Sequence, residues 1–184
     1  MPTCNNEETI KKMNELIQLD ADAILLYDKA LEHIDDSRVK DDLESYKADH
    51  ERHVGELTKV VFDLGGPAPP VDRDLKGTIL MALTAMRSET GTKGALKAMR
   101  SNEKLTNKRY DEVAGMELPA PAAAVVATGL ADERRHLAGI EAHLERLKKE
   151  SGTTDEQDTD TAEEVVVVEE EVIVTAVPPP SPRT

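Results

Sequence analysis

Tryptophan is absent from this chain, and three tyrosines with one phenylalanine bring aromatic residues to only 2%. A core built without large rings must be aliphatic, and the 33% of charged residues, rich in Lys and Glu, points to helices around it. Cysteine is nearly missing too. Cys4 alone excludes an intrachain disulfide and a four-cysteine metal knuckle. No apolar run approaches the ~18 residues of a membrane-spanning helix. The start, Met1-Pro-Thr-Cys-Asn-Asn, has neither the basic residues nor the apolar stretch of a secretory signal. The expectation is a cytoplasmic protein with no membrane partner. Positive charge is also scarce: 23 Lys and Arg face 37 Asp and Glu, for a net charge of −14. Much of that excess lies beyond Glu150, and no basic stripe offers itself to nucleic acid.

What the chain does contain is helical periodicity, in four segments read by alternating steps of three and four. They span about Glu7 to Asp35, Arg38 to Leu64, Thr92 to Glu117 and Ala120 to Lys149. Asn5 or Asn6 with Glu8 can cap the first, and Asp36-Ser37 the second, after a tight turn. Leu64-Gly-Gly-Pro ends the second, and Leu118-Pro119-Ala-Pro121 divides the third from the fourth. Between the two hairpins, Asp74 to Ser88 reads as a short amphipathic helix in the crossover. The expected fold is all-α: an antiparallel four-helix bundle over residues 1–149. An acidic linker follows at 150–164, then a β-prone and Pro-rich tail at 165–184.

Each apolar seam is interrupted near its middle, by Asp20 in the first, His50 and His53 in the second, Glu103 in the third, and Glu133 and His136 in the fourth. The expected seam of the first segment otherwise runs Ile10, Met13, Ile17, Ile24, Tyr27, Leu31, Ile34. An unsatisfied polar side chain in such a core costs roughly 1–3 kcal/mol, and an ionised carboxylate far more. Six of them would consume most of the ~5–15 kcal/mol by which a domain is stable. Something must therefore satisfy them together. Their heights agree: Asp20 lies 16 residues before Asp36, and His50 and His53 lie 14 and 17 after it. Glu103 lies 15 before Leu118, and Glu133 and His136 lie 15 and 18 after it. At about 1.5 Å of rise per residue, each set falls at nearly one level.

Adding 83 to a residue number maps the first hairpin onto the second. Asp20 becomes Glu103, Tyr27-Asp28 becomes Tyr110-Asp111, and Asp49, Arg52 and His53 become Asp132, Arg135 and His136. Only His50, which becomes Glu133, changes type. The pattern reads as an internal duplication with a symmetric site on a pseudo-twofold axis. Singly, each polar position has a plain reading as a surface residue or a satisfied core histidine. Tyr27 and Tyr110 read as core aromatics with hydrogen-bonded hydroxyls. Together at one level, the six read as a metal site, with a metal-free hydrogen-bonded polar layer as the alternative.

Glu133-Arg-Arg-His136 places a Glu and a His three residues apart on one helix face, so both can reach the same ion. With Asp132 and Arg135 it resembles the D-E-x-R-H signature of the ferritin-like di-iron superfamily, nearer to rubrerythrin-like bundles than to true ferritins. Asp49-His50-Glu51-Arg52-His53 is the same signature with His50 in place of Glu, and Asp20 replaces the usual Glu of the first helix. The resemblance implies two divalent ions held by Asp20, His50, His53, Glu103, Glu133 and His136, with Asp49, Arg52, Asp132 and Arg135 orienting them from behind. It further implies ferroxidase or peroxide- and O2-reducing activity. The cysteines of a rubredoxin module are missing. The nitrogen-rich donor set favours Fe, admits Zn or Cu, and suits Mn less.

The tail carries a β-branched run from Val165 to Val177. A helical bundle offers no sheet edge for it, so it suits strand addition to a partner protein or a neighbouring copy of the chain. Its bland counterpart is a solubilising acidic tail. A second function class follows: a structural or cargo protein in which metal staples the bundle and the tail makes the assembly.

Overall fold

The computed structural model describes residues 5–67 and 91–152. Cys4, the expected crossover helix from Asp74 to Ser88, and the linker and tail from 153 onward lie outside the described residues. Among the described residues the fold is four helices and no strand: α1 (Asn6–Leu31), α2 (Ser37–Asp63), α3 (Thr92–Ala114) and α4 (Ala120–Glu150).

Capping fixes the starts of the first two. The Asn5 side chain accepts the Glu8 amide at 2.8 Å, and Asp36 accepts those of Arg38 and Val39 at 3.0 and 3.3 Å. Two ends come earlier than the periodicity suggests. Helix α1 stops at Leu31 rather than Asp35, because the chain must turn before the Asp36 cap and the Asp35 amide is taken by the Thr92 hydroxyl at 3.1 Å. Helix α3 stops at Ala114 rather than Glu117, with Pro119 already disfavouring helical backbone at Leu118.

Helix α1 packs on α2 and α3, and α4 packs on α3 and α2, giving the square arrangement of a four-helix bundle. The α1 seam departs from expectation in detail. Ile10, Ile24 and Leu31 are only half-buried, while Ala23, Leu26 and Ala30 face the core beside Tyr27. The true period of 3.6 carries the stripe through 20, 23, 27 and 30, whereas strict alternation of three and four runs through 20, 24, 27 and 31.

Among the described residues the apolar core is two clusters rather than one. Tyr27, Leu43, Leu96, Met99 and Ile140 belong to the first, and Met13, Ile17, Leu57, Tyr110 and Val126 to the second. Buried aliphatic side chains contribute about 1.5–3 kcal/mol each, so two such plugs can carry a polar layer between them. Glycine sets close approaches at Gly66, Gly129 and Gly139. A Cβ on Gly129 would lie 2.4 Å from Cε1 of Tyr110. Gly129→Ala should therefore lower stability: overpacking costs about 1–3 kcal/mol and outweighs the gain in helix propensity of under ~1 kcal/mol. Chemical denaturation checks it, and a more stable variant would refute the packing argument.

Candidate metal centre

The polar layer draws on all four helices. Asp20 comes from α1, His50 and His53 from α2, Glu103 from α3, and Glu133 and His136 from α4. All six are at most 1% exposed. On α2 and α4 the paired residues are three apart, which turns both toward the bundle axis.

Their donor atoms gather into two overlapping groups: Asp20, His50, His53 and Glu133, and His50, Glu103, Glu133 and His136, each within 4.8 Å. In the first, His50 Nδ1 lies 2.9 Å from Asp20 Oδ1 and 3.4 Å from Glu133 Oε1. His53 Nδ1 lies 3.8 and 3.5 Å from the same two oxygens. In the second, His136 Nδ1 lies 3.6 Å from Glu103 Oε2, and His50 Nε2 lies 3.5 Å from Glu103 Oε1.

Around this centre each hairpin holds the other's residues. Tyr27 donates its hydroxyl to Glu103 Oε1, and Tyr110 donates to Asp20 Oδ2, both at 2.7 Å. His53 Nε2 meets Asp132 Oδ2 at 3.2 Å, and His136 Nε2 meets Asp49 Oδ2 at 3.1 Å. Arg52 donates to Asp49 and Asp132 at 2.8 and 2.7 Å, and Arg135 donates to the same two at 2.7 and 2.6 Å. Every one of these pairs maps onto its counterpart by the 83-residue offset.

The outer contacts decide what the inner atoms can do. With Nε2–H given to an aspartate, His53 and His136 keep their Nδ1 lone pairs for the centre. With one oxygen taken by a tyrosine, Glu103 keeps Oε2 for the centre, while Asp20 turns Oδ1 to His50 Nδ1 at 2.9 Å. His53 Nδ1, His136 Nδ1, His50 Nε2, Glu103 Oε2 and both Glu133 oxygens have no hydrogen-bond partner, although all are buried. Buried polar atoms are rarely left so. Here they converge on two points, and nitrogen-and-carboxylate donors of this kind fit divalent transition-metal ions.

Without metal, protons must balance the charge. Burial opposes a charge on His50, but Glu133, Asp20 and Glu103 outweigh it and hold its pKa well above the ordinary imidazole value. Burial opposes His53 likewise, and Asp20, Glu133 and Asp132 raise it to about 10. Burial would raise Asp20 and Glu103, yet the facing histidines hold both below the usual carboxylate range. Burial dominates at Glu133 and raises it. Desolvation beside Glu103 and Asp20 keeps the Tyr27 and Tyr110 hydroxyls firmly protonated, as donors. For Asp132, Arg52, Arg135 and His53 overcome the burial cost and bring it to about 2.

The ten residues singled out from sequence thus lie together, six inside and four behind them. Glu51 and Arg134 face solvent as expected, and exposed His33 and the His143–Asp42 pair at 2.7 Å stand apart from the centre. Sequence reasoning missed Tyr46, whose ring stacks on His136 with centroids 4.5 Å apart and planes at 29°. It also missed Asn107, which donates to the main-chain carbonyls of Glu103 and Glu133 at 2.8 Å and pins α3 to α4. The offset held the Tyr46 signal, because its equivalent is Gly129 and the symmetry breaks there. The Asp132 contacts yield a test. Asp132→Ala frees the His53 ring and should weaken metal binding about 10–100-fold with the bundle intact, as read by competition with a chromophoric chelator.

Residues 8–115, more than half of the chain, match the family described as Domain of unknown function (DUF2383). No curated protein matches the chain. Among solved structures, it resembles a ferritin like, diiron-carboxylate protein from Bacillus anthracis str. Ames with a TM-score of 0.51 and 20% identity. The match covers 80% of this chain and 98% of that one. At that identity the likeness establishes the ferritin-like fold.

Proposed function

We propose, for a chain that belongs to the family described as Domain of unknown function (DUF2383), a dimetal centre that carries out oxidation chemistry: ferroxidase activity or the reduction of O2 or peroxide. The supporting observation is the set of buried donor atoms without hydrogen-bond partners on α2, α3 and α4, gathered with Asp20 of α1 into two groups. Asp20, His50, His53, Glu103, Glu133 and His136 would hold two divalent transition-metal ions, iron first among them and Zn, Mn or Cu as the other candidates. Bound iron supplies electrons one per ion, so a pair matches the two-electron reduction of peroxide to water, with two protons consumed.

The chain's own contribution is orientation and exclusion of water. Asp49 and Asp132, each clamped by Arg52 and Arg135, fix the His136 and His53 rings. Tyr110 and Tyr27 fix the carboxylates of Asp20 and Glu103. Two apolar clusters keep the layer dry. Iron, redox activity and an internal duplication behind the 83-residue offset go together in this reading, and the likeness to a diiron-carboxylate protein from Bacillus anthracis lends it support.

Elemental analysis of protein purified without added metal, then anaerobic Fe(II) loading followed by O2 or peroxide, tests it. An Fe(III) absorbance that grows with two ions per chain is the expected result. Metal bound without any oxidation favours the other reading, a metal that staples the bundle, to which the near-complete burial of all six residues lends weight. In that reading residues 165–177 dock on a neighbouring copy or a partner. Deleting Val165–Thr184 should then shrink the assembly, and an unchanged size removes the idea.

A further inference from the structure

The two halves of the centre are not equivalent, and His50 is the reason. At the offset of 83 it stands where the second hairpin carries Glu133, so an imidazole replaces one of two carboxylates that would otherwise mirror each other. We propose that Asp20, His50, His53 and Glu133 form a four-donor cradle for one divalent ion, Fe(II) or Zn(II), which fills first and without the other half. This rests on the metal-binding reading above.

Three observations carry it. The first is shape. Four donors around an ion at about 2.0–2.2 Å stand roughly 3.3–3.6 Å apart along the edges of a tetrahedron. The edges between His50 Nδ1 and Asp20 Oδ1, His50 Nδ1 and Glu133 Oε1, and His53 Nδ1 and the same two oxygens are 2.9, 3.4, 3.8 and 3.5 Å. These four edges lie within about half an ångström of that range, and all four donor atoms lie within 4.8 Å of one another.

The second is charge. Two neutral imidazoles and two carboxylates neutralise one divalent ion, which leaves no net charge to bury. Mixed nitrogen and oxygen donors in tetrahedral array are those of zinc and of cobalt as its stand-in.

The third is the lone-pair count. A neutral imidazole has one lone pair, on one nitrogen. If Nδ1 of His50 serves the cradle, Nε2 carries the proton, and that proton faces Glu103 Oε1 at 3.5 Å. His50 then turns an N–H rather than a lone pair toward the second half and is not one of its ligands. The second half is left with Glu103, His136 and the shared Glu133. Three protein donors leave it open where the cradle is closed.

The experiment is a Co(II) titration of the metal-free full chain, read by visible absorption and by calorimetry. The first equivalent should bring the intense bands of four-coordinate Co(II), and the second should bind with at least tenfold lower affinity. His136→Ala should keep the first-equivalent spectrum, His53→Ala should lose it, and His50→Glu should merge the two steps and abolish the intense bands. Two ions bound by the unaltered protein with equal affinity and weak bands overturn the cradle and leave the dimetal centre standing. So does an intense first-equivalent spectrum that survives His53→Ala but not His136→Ala, which would place the imidazole of His50 in the other half. No Co(II) bound at all overturns the metal reading itself. The titration of the unaltered chain decides the matter even where a variant fails to fold.

Discussion

Replacing Glu133 with alanine should cost the protein both metal ions while the bundle stays folded. Glu133 is the one carboxylate present in both groups of donors, and neither of its oxygens has a partner within the protein. Changes behind the ligands typically cost about 10–100-fold in affinity. Loss of a carboxylate shared by both halves should exceed that range at each. A ligand present at about 1,000 times its dissociation constant adds roughly 4 kcal/mol to stability. Metal should therefore raise the melting temperature of the unaltered chain by many degrees, and hardly at all that of Glu133→Ala.

The metal-free variant should tell the opposite story. Burial already raises the Glu133 pKa, so its carboxylate is a strained guest in the core. Truncation removes that cost and leaves a small cavity, two effects of opposite sign. The metal-free forms should consequently melt within a few degrees of each other. Two ions per chain retained by Glu133→Ala after exhaustive buffer exchange would remove the centre as drawn.

The same residue shows why so much of this molecule could be read from sequence. Glu133 and His136 stand three apart in a stripe that is otherwise apolar, and an aliphatic seam makes each polar intruder conspicuous. Heights could be counted from the turns because two short connections, at Asp36 and Pro119, fix the hairpins. The offset of 83 then supplied the partners. It matched Tyr27 to Tyr110 and Asp49 to Asp132, whose contacts the structure shows to be reciprocal.

What escaped was whatever depends on how helices face one another. Ala23 and Ala30 are buried one position away from Ile24 and Leu31, because an alternating step of three and four averages 3.5 and does not fix which side of a helix meets its neighbour. That Tyr46 stacks on His136 rather than on its own hairpin's His50 is a matter of α2 against α4. The tyrosine hydroxyls cross in the same way: Tyr27 sits seven residues from Asp20 on its own helix, yet it serves Glu103 on another. Periodicity locates a face, and only packing decides what that face meets.

Metal affinity should climb steeply with pH, by about one to two decades per unit between roughly pH 6.5 and 9. A histidine must shed its proton to bind a metal ion. Opposed by burial but raised by Asp20, Glu133 and Asp132, His53 reaches about 10, and His50 too stands well above the ordinary value. His53 holds its proton in the metal-free chain across that range, the His50 pKa is raised in the same direction, and each proton displaced is worth tenfold per pH unit. The folding stability of the metal-free chain runs the other way. The pKa of His53 is raised on folding, so its contribution is fully present below about 6.5 and is lost as pH rises toward 10, at about 1.4 kcal/mol per unit. Asp132 is lowered to about 2, so its contribution is present above about 4 and is lost as pH falls through 2. The metal-free chain should then be most stable between about pH 4 and 6.5, while the loaded chain stays level on the alkaline side and sheds its ions in acid. Calorimetric titrations in buffers of different ionisation enthalpy count the released protons, and melting curves across pH locate the divergence. Affinity independent of pH, with no proton released, would mean that the imidazoles stay charged and face no metal. The layer would then be held by hydrogen bonds alone, because protons and metal ions compete here for the same three carboxylates and three rings.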